Sequence, residues 1–204
     1  MPGPVERDIR WWPVRNNSGE EIPPFAVMRI SGEETVGGRT RFIVAKPDST
    51  FRRKGYLINS PFAIGIGKSG SGTRDTTYAL CSSSASPVRD QWWGAKDGEW
   101  KLFQHRPGFL VLGNYQGTGD GQRSIVEPFE VTRVRCVLAA TLNQGSAAAG
   151  TIYMRDGSAR TDSGCDDITI YDDLLPSAGS IASGGIVWAD WYCDRWWAIE
   201  ARCQ

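Results

Sequence analysis

The chain of 204 residues is 40% hydrophobic, 23% charged and 11% aromatic, a composition that builds one or two folded domains and excludes wholesale disorder. Its 23 basic and 23 acidic residues cancel, and with no long basic run a dedicated nucleic-acid surface is excluded too. The cancellation is uneven: residues 1–115 hold 16 basic and 11 acidic groups and residues 116–204 hold 7 and 12, so the two parts carry +5 and −5. Such a split either steers head-to-tail contacts between subunits or is chance scatter.

The N-terminus, MPGPVERDIRWW, has no apolar run of the kind a secretion signal needs, and no segment reaches transmembrane length. Residues 1–21 read as an arm, with the apolar Trp11-Trp12-Pro13 followed by the turn Asn16-Asn17-Ser18-Gly19. The two indoles either dock on a neighbour or cover the first domain. Strand signals follow at 25–30, 40–45, 55–58, 62–66 and 78–81, then at 99–103 and 109–112 around Pro107-Gly108. They predict a first β domain over 22–115. The Gly-rich run 114–123 reads as the boundary. A second β domain over 124–204 takes strands at 129–142, 151–154, 168–171, 186–192 and 195–203. The last two form a Trp-rich hairpin, IVWADWY-CD-RWWAIEARC, in which Trp197, Ile199, Ala201 and Cys203 share one face and Trp196, Glu200 and Arg202 the other. With 24 glycines, 11 prolines and no capped helical period, the fold class is all-β: two small antiparallel β-sandwich or barrel domains in tandem.

Chemistry-bearing motifs are sparse. Gly65 to Gly70 matches GxGxxG, but SGTRDTTYAL after it is no helix, so the pattern is a hairpin tip rather than a pyrophosphate cradle. His105 is the only histidine, which removes multi-histidine metal sites, and its place before a Pro-Gly turn favours an exposed residue over a general base. Asp162, Asp166, Asp167, Asp172 and Asp173 lack the oxygen spacing of a calcium loop. A hydrolase would need two of them, such as Asp166 and Asp172, to converge in a groove. The five cysteines, Cys81, Cys136, Cys165, Cys193 and Cys203, are odd in number and without CxxC spacing, which points to free thiols in a protein made in a reducing cytoplasm. No cofactor or metal is expected. Trp92-Trp93 and Trp196-Trp197 are adjacent pairs, so strand alternation sends one ring of each pair away from its own core. Those rings either pack on a neighbouring subunit or stack on a sugar.

Three phrases, VRNNSGEEIPPFAVMRISG, YLINSPFAIGIGKSG and WGAKDGEWKLFQHRPGFLVLG, resemble a recurrent module of uncharacterised tailed-bacteriophage virion proteins. ATLNQGSAAAGTIY, DDITIYDDLLPSAGSIASGGIVWADWY and RWWAIEARC are similar to a segment found in the same proteins. The resemblance spans nearly the whole chain and implies a non-enzymatic tail, fibre or capsid-decoration component, with no catalytic residue carried over. It implies synthesis in the bacterial cytoplasm, residence in the virion, and packing against copies of itself (a trimer in a fibre or decoration role) and against other virion proteins. Contacts would run through Trp11, Trp12, Trp92, Trp93, Trp196 and Trp197. The alternative is a carbohydrate- or receptor-binding module that meets a host-surface glycan with the same tryptophans.

Overall fold

A computed structural model of the chain describes residues 9–48, 56–129, 133–152, 167–173, 179–192 and 195–202. These are all-β, in small sheets and barrels in tandem, as the composition predicts. The first five strands, β1 (Trp12–Asn16), β2 (Val27–Val36), β3 (Arg39–Ala45), β4 (Tyr56–Asn59) and β5 (Ser69–Thr73), close a barrel in the order β1-β3-β2-β4-β5. The β2–β3 hairpin turns on Gly37 and Gly38, with φ of 57° and 74°, the left-handed backbone a two-residue hairpin requires. β1 lies parallel to β3 and antiparallel to β5, and so completes the ring. Val14, Ile22, Met28, Val44 and Leu57 fill it.

Next comes a sheet ordered β6-β10-β9-β7-β8, built from β6 (Thr77–Leu80), β7 (Trp92–Ala95), β8 (Leu102–Gln104), β9 (Gly108–Gln116) and β10 (Arg123–Phe129). Its two outer strands meet through a single parallel bridge, Cys81 to Leu102. Val27 and Ile58 of the first barrel pack into the same core as Trp93, Leu102, Phe109 and Val111 of this sheet. Barrel and sheet therefore share their interior.

The remaining strands are β11 (Arg133–Leu138), β12 (Leu142–Asn143), β13 (Ala147–Ile152), β14 (Asp167–Asp172), β15 (Ser180–Ile181), β16 (Ile186–Tyr192) and β17 (Arg195–Arg202). Five of them close a second barrel in the order β11-β13-β14-β17-β16, and β12 pairs with β15 beside it. β16 returns to lie beside β11, the Greek-key connection. β17 closes the ring parallel to β14. In the β16–β17 hairpin the pairing steps from Trp188–Glu200 to Ala189–Ala198. Ile199 is the extra residue of a bulge, which interrupts the alternation read from the sequence.

Two boundaries move. The run 114–123 is the tip of the β9–β10 hairpin, where Gly117 and Gly119 take φ of 79° and 60°. Ser124 just beyond it is fully buried and donates its hydroxyl to the Gly113 carbonyl at 2.8 Å. The break between the N-terminal sheets and the C-terminal barrel falls instead between Phe129 and Arg133. Gly117 and Gly119 thus supply turn conformations rather than a linker. The arm, in turn, is shorter than 1–21, because Trp12–Asn16 is a barrel strand with Val14 wholly buried.

Candidate functional sites

The stretch 91–113 organises the molecule through three tryptophans that enter three different cores. Trp93 faces its own sheet's interior. Trp92, its neighbour on β7, points the opposite way into the C-terminal barrel core. Its ring lies 6.4 Å from Trp196 and 6.0 Å from Phe129. Trp100 packs among the first barrel's core residues, and its carbonyl accepts from Val27 N at 2.9 Å. Alternation does send the Trp92 and Trp93 rings to opposite faces, but both faces of β7 are covered, so neither ring meets solvent (2% and 0% exposed). Trp196 is equally buried, packed edge-on at 5.2 Å against Trp191. Trp197 turns outward and is half covered by Tyr171 at 5.6 Å. Of the six tryptophans proposed as contacts, Trp11 is the exposed one, at 40%. Trp12 is half-buried against Phe42, with the Arg10 guanidinium 4.0 Å over its ring.

A surface feature the sequence did not single out is the loop from Ser60 to Lys68. The sequence predicts a strand at 62–66, yet the chain there forms only a bridge at Ile64, whose amide and carbonyl exchange 3.0 Å bonds with Ile22. Two buried asparagines pin the loop. Asn59 Nδ2 donates to the Pro23 and Phe62 carbonyls at 2.7 and 2.9 Å. Asn16 Nδ2 donates to the Ile64 and Glu20 carbonyls at 2.8 and 2.7 Å. The pinned loop holds Phe62 and Ile66 out in water, 76% and 62% exposed. The GxGxxG motif lies on the same loop and runs into β5, with no helix behind it. On the outside of the first barrel, Glu34 sits between Arg41 (2.7 Å) and Arg15 (3.1 Å). The Arg41 hydrogen bond, helped by both charges, holds its carboxyl below the usual range.

A cleft of about 450 Å³ opens where the β8–β9 turn faces the C-terminal barrel. Gln104, His105 and Arg106 form one wall and residues of β14, β16 and β17 the other. His105 adopts φ of 65° and is half-buried there rather than exposed. A left-handed backbone at a residue other than glycine is strain that the surrounding structure must hold in place. Gly94 makes the turn possible: a Cβ on it would meet the Pro107 carbonyl at 2.3 Å.

The other candidates stay apart from this cleft. Asp162 and Asp166 lie outside the described residues. Asp172 accepts from Gly145 N at 2.8 Å, a loop-holding contact. Cys81 and Cys136 are buried free thiols, and burial pushes both up to about 12, far from nucleophilic range at neutral pH. Cys165, Cys193 and Cys203 are outside the described residues. No group of three or more His, Cys, Asp or Glu residues gathers to hold a metal ion among the described residues. No family model, curated protein or solved structure matches the chain.

Proposed function

We propose that the chain is a non-enzymatic structural component of a tailed-phage virion, a tail, fibre or capsid-decoration protein that works by packing against copies of itself and other virion proteins. The observation that carries this reading is the Ser60–Lys68 loop. Large apolar side chains held in water by buried hydrogen-bonded asparagines are unfavourable in an isolated molecule, and they suit a preformed contact that a neighbour covers. Trp11 adds an apolar anchor near the N-terminus. The +5 and −5 parts of the chain favour contacts between unlike ends of successive copies.

Sedimentation velocity over a concentration series tests the reading. Wild-type chain should associate, and the double variant Phe62→Asp, Ile66→Asp should remain monomeric with an unchanged melting temperature. Association that persists in the double variant would remove the loop from the interface. Trp11→Asp provides the parallel test of the N-terminal anchor, which deleting residues 1–15 does not, because that deletion removes β1.

A further inference from the structure

We infer that copies of this chain stack head to tail through opposite ends of the first barrel. The Ser60–Lys68 loop of one copy seats on the β2–β3 hairpin end of the next. The inference rests on the reading of that loop as an assembly contact, and it names the partner. Strand direction fixes the two ends. β1 and β4 both run antiparallel to β5 and so finish at the same end of the barrel, where β5 begins. The β4–β5 connection, which carries Phe62 and Ile66, therefore lies at that end. Asn16, the last residue of β1, holds it there: the Asn16 carbonyl accepts from Gly67 N at 3.1 Å. β3 starts at Arg39 and runs parallel to β1, so the β2–β3 turn lies at the opposite end, where β1 begins. Ile9 and Trp11 precede β1 at this end, and Val36 pairs with Arg39 across the turn.

Five of the six large apolar side chains that stand exposed among the described residues sit at these two ends. Phe62 and Ile66 are at one, and Ile9, Trp11 and Val36 at the other; Val88, on the sheet, is the sixth. Clusters of this kind mark contact surfaces. The barrel wall between them carries charge, with Arg15 and Arg41 paired to Glu34. A contact between two loop ends would leave Trp11 and Val36 in water on both copies. A contact between two hairpin ends would leave Phe62 and Ile66. One head-to-tail contact, repeated, covers both ends of every interior copy. Charge agrees with it. Glu21 and Lys68 at the loop end, and Arg39 and Asp75 at the hairpin end, are exposed and belong to no ion pair among the described residues. Docking of unlike ends lets Glu21 face Arg39 and Lys68 face Asp75, an arrangement that fixes register at the rim. Because the two surfaces differ, the contact does not close as a twofold dimer and propagates into a ring or an open stack.

Sedimentation velocity on the full chain with two end-blocked variants tests the pairing. Phe62→Asp, Ile66→Asp blocks the loop end, and Trp11→Asp, Val36→Asp blocks the hairpin end. All four side chains are exposed, so both variants should keep the wild-type melting temperature. Wild type should form species larger than a dimer. Each variant alone should stay at the monomer mass of 22.4 kDa. An equimolar mixture of the two should give a species of twice that mass that grows no further, because one open end of each is used up. A hairpin-blocked variant that associates like wild type would overturn head-to-tail stacking and leave the loop as a contact. A loop-blocked variant that associates like wild type would remove the loop itself. Wild type that stays monomeric or stops at a dimer, or a mixture that stays monomeric, would also overturn the assignment. Charge reversal checks the register without touching the apolar groups. Arg39→Glu should weaken association about 3- to 10-fold, and Glu21→Arg added to it should restore the wild-type value. Failure to restore would overturn the facing of those two charges.

Discussion

Replacing Trp92 by alanine should loosen a barrel that Trp92 does not belong to by sequence. The side chain leaves β7, which pairs with β9 through Trp92–Leu110 and Trp93–Phe109. Its indole is 2% exposed and sits among Val134, Ile170, Ala189, Trp196 and Ala198 of the C-terminal barrel. Truncating a buried tryptophan costs about 3–5 kcal/mol in transfer and cavity terms. The tilted pairs with Trp196 and Phe129 fall within that figure. Whole-domain stabilities are about 5–15 kcal/mol, so the loss is a large fraction of the total and should lower the urea midpoint by about 1–2 M for a typical slope. The location of the damage is the sharper reading. In hydrogen exchange, amides of β14, β16 and β17 should lose protection, while those of β1–β5 should not. Trp100→Ala should give the reverse, with exchange rising in the first barrel whose core it enters. Loss of protection confined to β7–β9 in Trp92→Ala, or a destabilisation under about 1 kcal/mol, would refute the claim that this tryptophan ties the two parts together.

Gly94→Ala should cost about 1–3 kcal/mol, because the new methyl meets the Pro107 carbonyl at 2.3 Å and Arg106 Cβ at 2.8 Å. Urea denaturation measures the loss, and a neutral result would show that the turn moves freely. Asn59→Ala should cost about 1–3 kcal/mol by removing the Nδ2 donor from the Phe62 carbonyl and the shorter of the two hydrogen bonds to the Pro23 carbonyl, which keeps the Ala26 amide at 3.3 Å; it should also raise amide exchange at 60–68, and unaltered exchange there would contradict the pinned-loop reading. For the cysteines the sign runs toward alkaline loss. Unfolded thiols ionise near the ordinary 9.0, whereas burial delays Cys81 and Cys136 to about 12. The unfolded chain therefore binds fewer protons than the native one between those values, and stability falls as pH rises through that window. The urea midpoint should drop from pH 8 to pH 10.5 more steeply in wild type than in Cys81→Ala, Cys136→Ala. Equal slopes would mean the thiols do not contribute.

Period-2 patterning made the all-β class readable, and β3, β4, β6, β9, β14 and β16 fall close to where apolar alternation places them. β5 was unreadable, because Ser-Gly-Ser-Gly-Thr has no strand propensity. It is a strand because its neighbours come too close for side chains: a Cβ on Gly72 would meet Met28 Cε at 2.7 Å, and one on Gly70 would meet Ile64 Cδ1 at 2.4 Å. β10 was hidden by the glycines before it, which look alike in a linker and in a hairpin tip. For Trp92 and Trp93 the opposition of the rings was legible and their destinations were not, because what covers each face comes from distant sequence. The cleft has the same limit: Arg106 and Arg195 are 89 residues apart in numbering, and no local pattern pairs them. Phe62 read as part of a strand, and only the asparagine bonds behind it reveal a loop that holds it in solvent.

The proposed virion role is tested most directly by cross-linking mass spectrometry on purified phage particles, taken from the lysate in which the chain is made. Lys68, exposed beside Ile66 on the pinned loop, supplies the reactive amine. The chain should be present in multiple copies per particle, with cross-links from Lys68 to a second copy or to another virion protein. Its absence from the particles, or cross-links from Lys68 that are all within one chain, would contradict a role in virion packing.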